Sequence, residues 1–221
     1  FTLVTVLLET ILGIGMALVM AKDFHGRGLL RAAVLVPWAI PTAITAKLWA
    51  FLFSEQGIVN SIFHAHVAWQ TDPWAARFSI ILADVWKTTP FMALLILAGL
   101  QMIPKDLYEA ARMDGANAWQ RFTRITLPLA KNSIIVAVLF RMLDALRMYD
   151  LPYIMVGPNP DSPTATLSQL VVAAIRQDHV NAASALSTLI FLLIFLIALC
   201  FVKSLGSKVA HQAEPVVAEE E

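Results

Sequence analysis

The chain has 221 residues with Lys+Arg and Asp+Glu balanced at 16 each, yet 58% of it is hydrophobic and only 14% charged. A mean hydropathy of +0.70 means more apolar surface than a fold of this size hides in its own core, which excludes a soluble globular domain. Zero net charge speaks against a nucleic-acid partner, and the single cysteine, Cys200, excludes a disulfide scaffold or a Cys-based zinc or iron–sulfur site.

A bilayer core takes about 20 apolar residues per helix, and five segments qualify, about 1–21, 29–53, 78–103, 133–148 and 184–202. Glu9 is the only charge in the first; the last has none. The first differs from a signal peptide in lacking a basic start and a small-residue cleavage site, so it reads as a span, with one further span expected upstream. In the second and third, Pro37, Pro41 and Pro90 predict bends or local unwinding. Lys47 and Glu9 are candidates for buried partners, and Trp38, Trp49, Trp69 and Trp74 for packing or interfacial roles. The fourth is short and interrupted by Arg141, Asp144 and Arg147. The expected fold is an all-α, polytopic transmembrane helix bundle over 1–208, followed by a disordered tail, 209–221. Lys and Arg in the connections number ten on the side of segment 104–131 and the C-terminus, against two (Arg77 and Arg176) on the other. Positive-inside asymmetry therefore predicts a cytoplasmic C-terminus.

Pro104 to Pro128 is long for a connection between membrane helices, which usually needs 2–8 residues, and it is written as structure. Lys105–Met113 can form a helix begun by Pro104, and Gly115 breaks it. A second helix, Asn117–Thr126, spaces Trp119, Phe122 and Ile125 three apart, and Pro128 starts the next span. The segment reads either as an interfacial helix lying in headgroups or as a compact knob for a cytoplasmic partner.

A charge at a helix centre costs about 2.5–3.5 kcal/mol on insertion scales, so the charges of the fourth segment must face protein, water or the outer interface. Arg141, Asp144 and Met148 share one narrow arc, and Asp84, Lys87, Thr88 and Phe91 repeat the spacing in the third segment. Two such faces fit a path for a sugar, with polar groups for hydroxyls and an aromatic ring for the pyranose face. They equally fit structural ion pairs, Arg141–Asp144 or Asp84–Lys87.

The outer connections hold His64 and His66, read as loop residues rather than metal ligands, and the turn-rich Gly157-Pro158-Asn159-Pro160. No nucleophile motif, zinc-protease motif or phosphate loop occurs, so ATP hydrolysis by that route requires a separate subunit. A secondary transporter is the rival class, but no internal repeat supports it.

The run Glu109-Ala110-Ala111-Arg112-Met113-Asp114-Gly115-Ala116, continuing through Phe122, Ile125, Leu127 and Pro128, resembles the EAA loop of binding-protein-dependent ABC importer permeases. Val36-Pro37-Trp38-Ala39-Ile40-Pro41, Trp86 to Pro90 and Gly157-Pro158 are similar to the carbohydrate branch typified by the maltose permeases, and within it to the trehalose importers of mycobacterial relatives. The resemblance implies a type I permease bundle on a bacterial plasma membrane and a disaccharide such as trehalose or maltose as cargo. Permeases for amino acids or phosphate share the loop. It further implies ATPase coupling through Glu109, Ala110, Ala111, Asp114, Gly115, Trp119 and Phe122, with Glu109 pairing a basic residue of the ATPase. Sugar-contacting positions of the maltose permease align with Lys87, Thr88, Phe91, Arg141, Asp144 and Met148, with Asp84 on the same face. The implied partners are a second homologous permease (a heterodimer), an ATPase dimer that binds ATP and Mg, and an extracytoplasmic sugar-binding lipoprotein. No cofactor is expected on this chain.

Overall fold

A computed structural model describes residues 1–64 and 66–213. Helix α1, Thr2–Ala21, buries one stripe, Thr5, Glu9, Gly13, Ala17 and Met20, against α5, Pro73–Leu100. The approach is close: a Cβ on Gly13 would stand 3.1 Å from Met92 Cβ. Helix α5 is the central element. Asp72 caps its N-terminus through Trp74 and Ala75 N–H, Pro73 fills the first turn, and most of its middle is buried.

The second expected span is broken. Helices α2, Arg27–Ala39, and α3, Thr42–Leu52, meet at 85°. Pro41 lacks the N–H that would continue α2, and it disfavours helical backbone at Ile40, which is extended. Pro37 and Pro90, by contrast, lie inside continuous helices. Helix α4, Ile58–Phe63, sits in the following connection and ends at His64, with φ 48°.

The segment after α5 folds as α6, Lys105–Met113, a turn, then α7, Ala118–Arg121. From there the helix does not stop. A π-helical turn, Phe122–Thr126, carries α7 into α8, Leu127–Ala145, giving one 28-residue span from Ala118. The expected boundary at Pro128 and the expected start near 133 are both corrected. The π turn stands directly ahead of Pro128, with Leu127 N–H reaching back to Phe122 C=O, and its wider backbone gives the proline ring room. Short helices α9, Asp150–Val156, and α10, Leu167–Arg176, follow, and α11, Val180–Ala213, ends the described chain. Residues 209–213 of the expected tail are thus helical; 214–221 lie outside the described residues.

Among the described residues four helices are long and apolar enough to cross a membrane, and the bent pair makes a fifth. One apolar core lies between α1, α5 and α8, around Ala17, Met92, Ile96 and Ala137. A second joins α3, α5 and α9 around Phe53, Ile80, Leu151 and Met155.

Candidate functional site

Two regions carry the polar chemistry. The first is a knot of charge inside the bundle. Arg141 of α8 is 2% exposed and reaches three acids: Glu9 of α1 through Nε, Asp84 of α5 through Nη2, and Asp144, one turn on, through Nη1 at 3.0 Å. Glu9 is fully buried, and the Thr88 hydroxyl stands within hydrogen-bond reach of both its Oε1 and the Asp84 carbonyl. Charges this deep are tolerated only when paired and hydrogen-bonded on several sides. The knot thereby ties α1, α5 and α8 to one another.

Lys87, one helical turn beyond Asp84, takes a different partner from the one its spacing suggests. Its Nζ donates to the Ile40 carbonyl and, at 3.3 Å, to that of Trp38. These carbonyls are left unsatisfied where α2 breaks, so the ammonium caps the broken end and complements its partial negative charge. Phe91 stacks on Trp38 beside it, ring centroids 5.3 Å apart. The expected polar face therefore divides. Asp84, Thr88, Arg141 and Asp144 join one network, Lys87 and Phe91 hold the elbow, and Met148 packs with the second core. Asp144 alone of the acids is open, its side chain 66% exposed. Of the two spacing-based pairings, Arg141–Asp144 forms, and Lys87 goes to the elbow. Glu9 pairs with Arg141 rather than with Lys47.

The second region is the projecting α6–α7 element. Helix α6 closes with a Schellman motif: Ala116 N–H reaches Ala111 C=O at 2.9 Å and Gly115 N–H reaches Arg112 C=O at 3.0 Å. Gly115 adopts φ +77°, open to glycine without strain. Asn117 and Gln120 form a reciprocal capping box that starts α7. Arg121 closes back onto the Ala116 carbonyl. The element is anchored at two points. Tyr108 and Thr126 hydroxyls lie 3.0 Å apart, and Lys105 Nζ contacts Asp23 Oδ2, in the α1–α2 turn, at 2.8 Å. Lys105 and then Arg27 hold the Asp23 carboxyl below the usual carboxylate range. Glu109, Ala110, Asp114 and Gly115 are exposed, Ala111 and Phe122 half-buried. Trp119 is 70% exposed and leans on Phe122, 5.6 Å between centroids. An exposed tryptophan on a rigid, doubly capped projection is the composition of a partner surface rather than of a packed core.

Residues 9–211 match the family described as the binding-protein-dependent transport system inner membrane component. The chain belongs to this family. This permease is 45% identical over 208 residues to the trehalose/maltose transport system permease protein MalF of Thermococcus litoralis, a match covering 92% of the chain and 70% of that relative. It is 39% identical to the trehalose transport system permease protein SugA of Mycobacterium tuberculosis, over 93% of the chain and 67% of the relative. Its bundle superposes on that of a bacterial ABC transporter for the acidic polysaccharide alginate with a TM-score of 0.79 at 25% identity, covering 93% of this chain and 77% of that one. The MetNI methionine ABC transporter shares the fold at a TM-score of 0.63 and 18% identity. The all-α bundle of several apolar spans is that of a type I ABC importer permease.

Proposed function

We propose that this permease forms the membrane path of an ATP-driven importer for a disaccharide such as trehalose or maltose. The observation that carries this reading is the exposed α6–α7 element, rigid in itself and continuous with span α8. The permease's likeness to the trehalose/maltose permease of Thermococcus litoralis and the trehalose permease of Mycobacterium tuberculosis supports the choice of sugar. In this reading Glu109, Ala110, Ala111, Asp114, Gly115, Trp119 and Phe122 engage a separate ATPase dimer, which holds ATP and Mg. The permease itself performs no hydrolysis. The small side chains of Ala110 and Ala111 permit close approach, and Trp119 supplies the buried anchor.

A second, homologous permease completes the path, and an extracytoplasmic sugar-binding lipoprotein delivers the cargo; a bacterial alginate ABC transporter was solved in complex with a periplasmic protein carrying an alginate pentasaccharide. The C-terminus and α6–α7 lie on the cytoplasmic side, as the ten-to-two bias of cationic residues favours. The sugar passes the α5–α8 face where Asp144 is open, with Asp84, Thr88 and Arg141 forming its wall and Lys87, Phe91 and Met148 its flanks.

The deciding experiment reconstitutes the complex in proteoliposomes and measures uptake of labelled trehalose with ATP inside. Uptake that persists with ion gradients collapsed, and fails in Trp119→Ala and Glu109→Ala while the permease still assembles in the bilayer, is the expected result. Normal uptake and normal stimulated ATPase in both variants would remove α6–α7 from coupling.

A further inference from the structure

Between the α1–α2 turn and α6 lies a cavity of about 900 Å³. Five cations line it, Lys22, Arg27, Arg31, Lys105 and Arg112, against two carboxylates, Asp23 and Glu109. Asp23 is already engaged by Arg27 and Lys105, so Glu109 is the one remaining carboxylate of the lining against Lys22, Arg31 and Arg112. Arg31 donates through Nη2 to the Met20 carbonyl at 2.7 Å, while its Nε is buried without a partner. A buried guanidinium N–H with no acceptor is costly, a deficit relieved if an oxyanion in the cavity draws the Arg31 side chain toward itself.

The cavity stands at the C-terminal end of span α1. Lys22 directly follows the last residue of α1, and Leu18, Ala21, Leu100 and Ile103 supply apolar walls. On the same helix pair a separate apolar groove of about 440 Å³ runs between Ile11, Gly15 and Val19 of α1 and Leu30 and Val34 of α2. A Cβ on Gly15 would meet no atom within 4 Å, so the groove is open there.

We propose that cavity and groove together hold one anionic phospholipid, its phosphate on Lys22, Arg31 and Arg112 and an acyl chain along α1 and α2. The excess of cations selects an anionic over a zwitterionic headgroup. The groove selects a lipid over a soluble phosphate, which would leave it empty.

Native mass spectrometry of the permease in detergent, with the partner subunits it purifies with, tests this by titration with phosphatidylglycerol, phosphatidylcholine or inorganic phosphate. The expected result is one phosphatidylglycerol held about tenfold more tightly than phosphatidylcholine. Lys22→Gln, which removes an exposed cation without a described contact, should reduce that preference. Gly15→Phe, which fills the groove and leaves every cation in place, should weaken phosphatidylglycerol binding as well. Equal retention of both lipids overturns the proposal. So does inorganic phosphate competing at the affinity of phosphatidylglycerol, or unchanged phosphatidylglycerol binding in both variants.

Discussion

Arg141 and Glu9 are 132 positions apart and form an ion pair with 2% and 0% of their side chains exposed. The pair joins the first described span to the one that continues from α7. Because Asp84 contributes the third side, no single helix of the three can shift without unpairing a charge in a low-dielectric interior.

Arg141→Met should therefore destabilise the permease by about 3–5 kcal/mol, since Glu9 and Asp84 both lose their counter-ion. Glu9→Gln, which keeps an acceptor for Arg141, should cost less, about 1–2 kcal/mol. Thermal unfolding in detergent reads both. An Arg141→Met protein as stable as the parent would mean the three helices are held by apolar packing alone.

Lys87→Met should loosen the elbow rather than the bundle. Loss of the cation at the end of α2 removes about 0.3–2 kcal/mol and strands the Trp38 and Ile40 carbonyls. Spin labels placed on exposed Val36 and Ile44, either side of the 85° bend, should give a broader distance distribution in the variant. An unchanged distribution would show that Pro41 alone fixes the angle.

At Gly99, α5 lies tight against α8. A Cβ there would lie 2.3 Å from Ser133 Cβ, so Gly99→Ala overpacks the contact by about 1–3 kcal/mol. Adding Ser133→Gly should recover most of the loss, a coupling that a double-mutant cycle measures. Independent, additive effects would contradict the close approach.

The Lys105–Asp23 contact predicts a pH and salt response of the α6 anchor. Asp23 titrates below its ordinary value of 3.8, so its contribution is complete above that value and is lost only as pH falls through the lower, folded value. Hydrogen-exchange protection of α6, corrected for intrinsic rates, should stay flat from pH 5 to 8. It should fall at about 1 M salt, where the Debye length shrinks to about 3 Å. A loss of protection between pH 5 and 8 at fixed salt would assign the anchor to another titrating group.

The apolar spans and the α6 turn were readable because they depend on local signals: runs of hydrophobic residues, and a glycine where positive φ is required. Gly115 falls where the Schellman motif needs it. The pairing of Arg141 with Glu9 was not readable, because period and spacing place a residue on a face but do not say which helix faces it. The signal that existed was modest: Glu9 sits on the α1 stripe of Thr5, Gly13 and Ala17, whose small residues mark a close helix contact. Pro128 misled for the opposite reason. Proline ordinarily begins or ends a helix, and here a π turn ahead of it lets the helix pass through. Spacing puts Lys87 beside Asp84 on α5, but its partners are backbone carbonyls freed where α2 ends before Pro41, and no spacing within α5 signals them.

The uninterrupted helix from Ala118 to Ala145 turns a local push into a remote one. At 1.5 Å per residue it is about 42 Å long, and its tight contact with Gly99 falls at Ser133, a little past its midpoint. That contact is a natural fulcrum. A tilt of about five degrees around it would swing Trp119 sideways by roughly 2 Å and carry the Arg141 end the opposite way by about half as much. Because the α-helix runs unbroken from Ser133 to Arg141, the first thing the motion would strain is the guanidinium's grip on its neighbours.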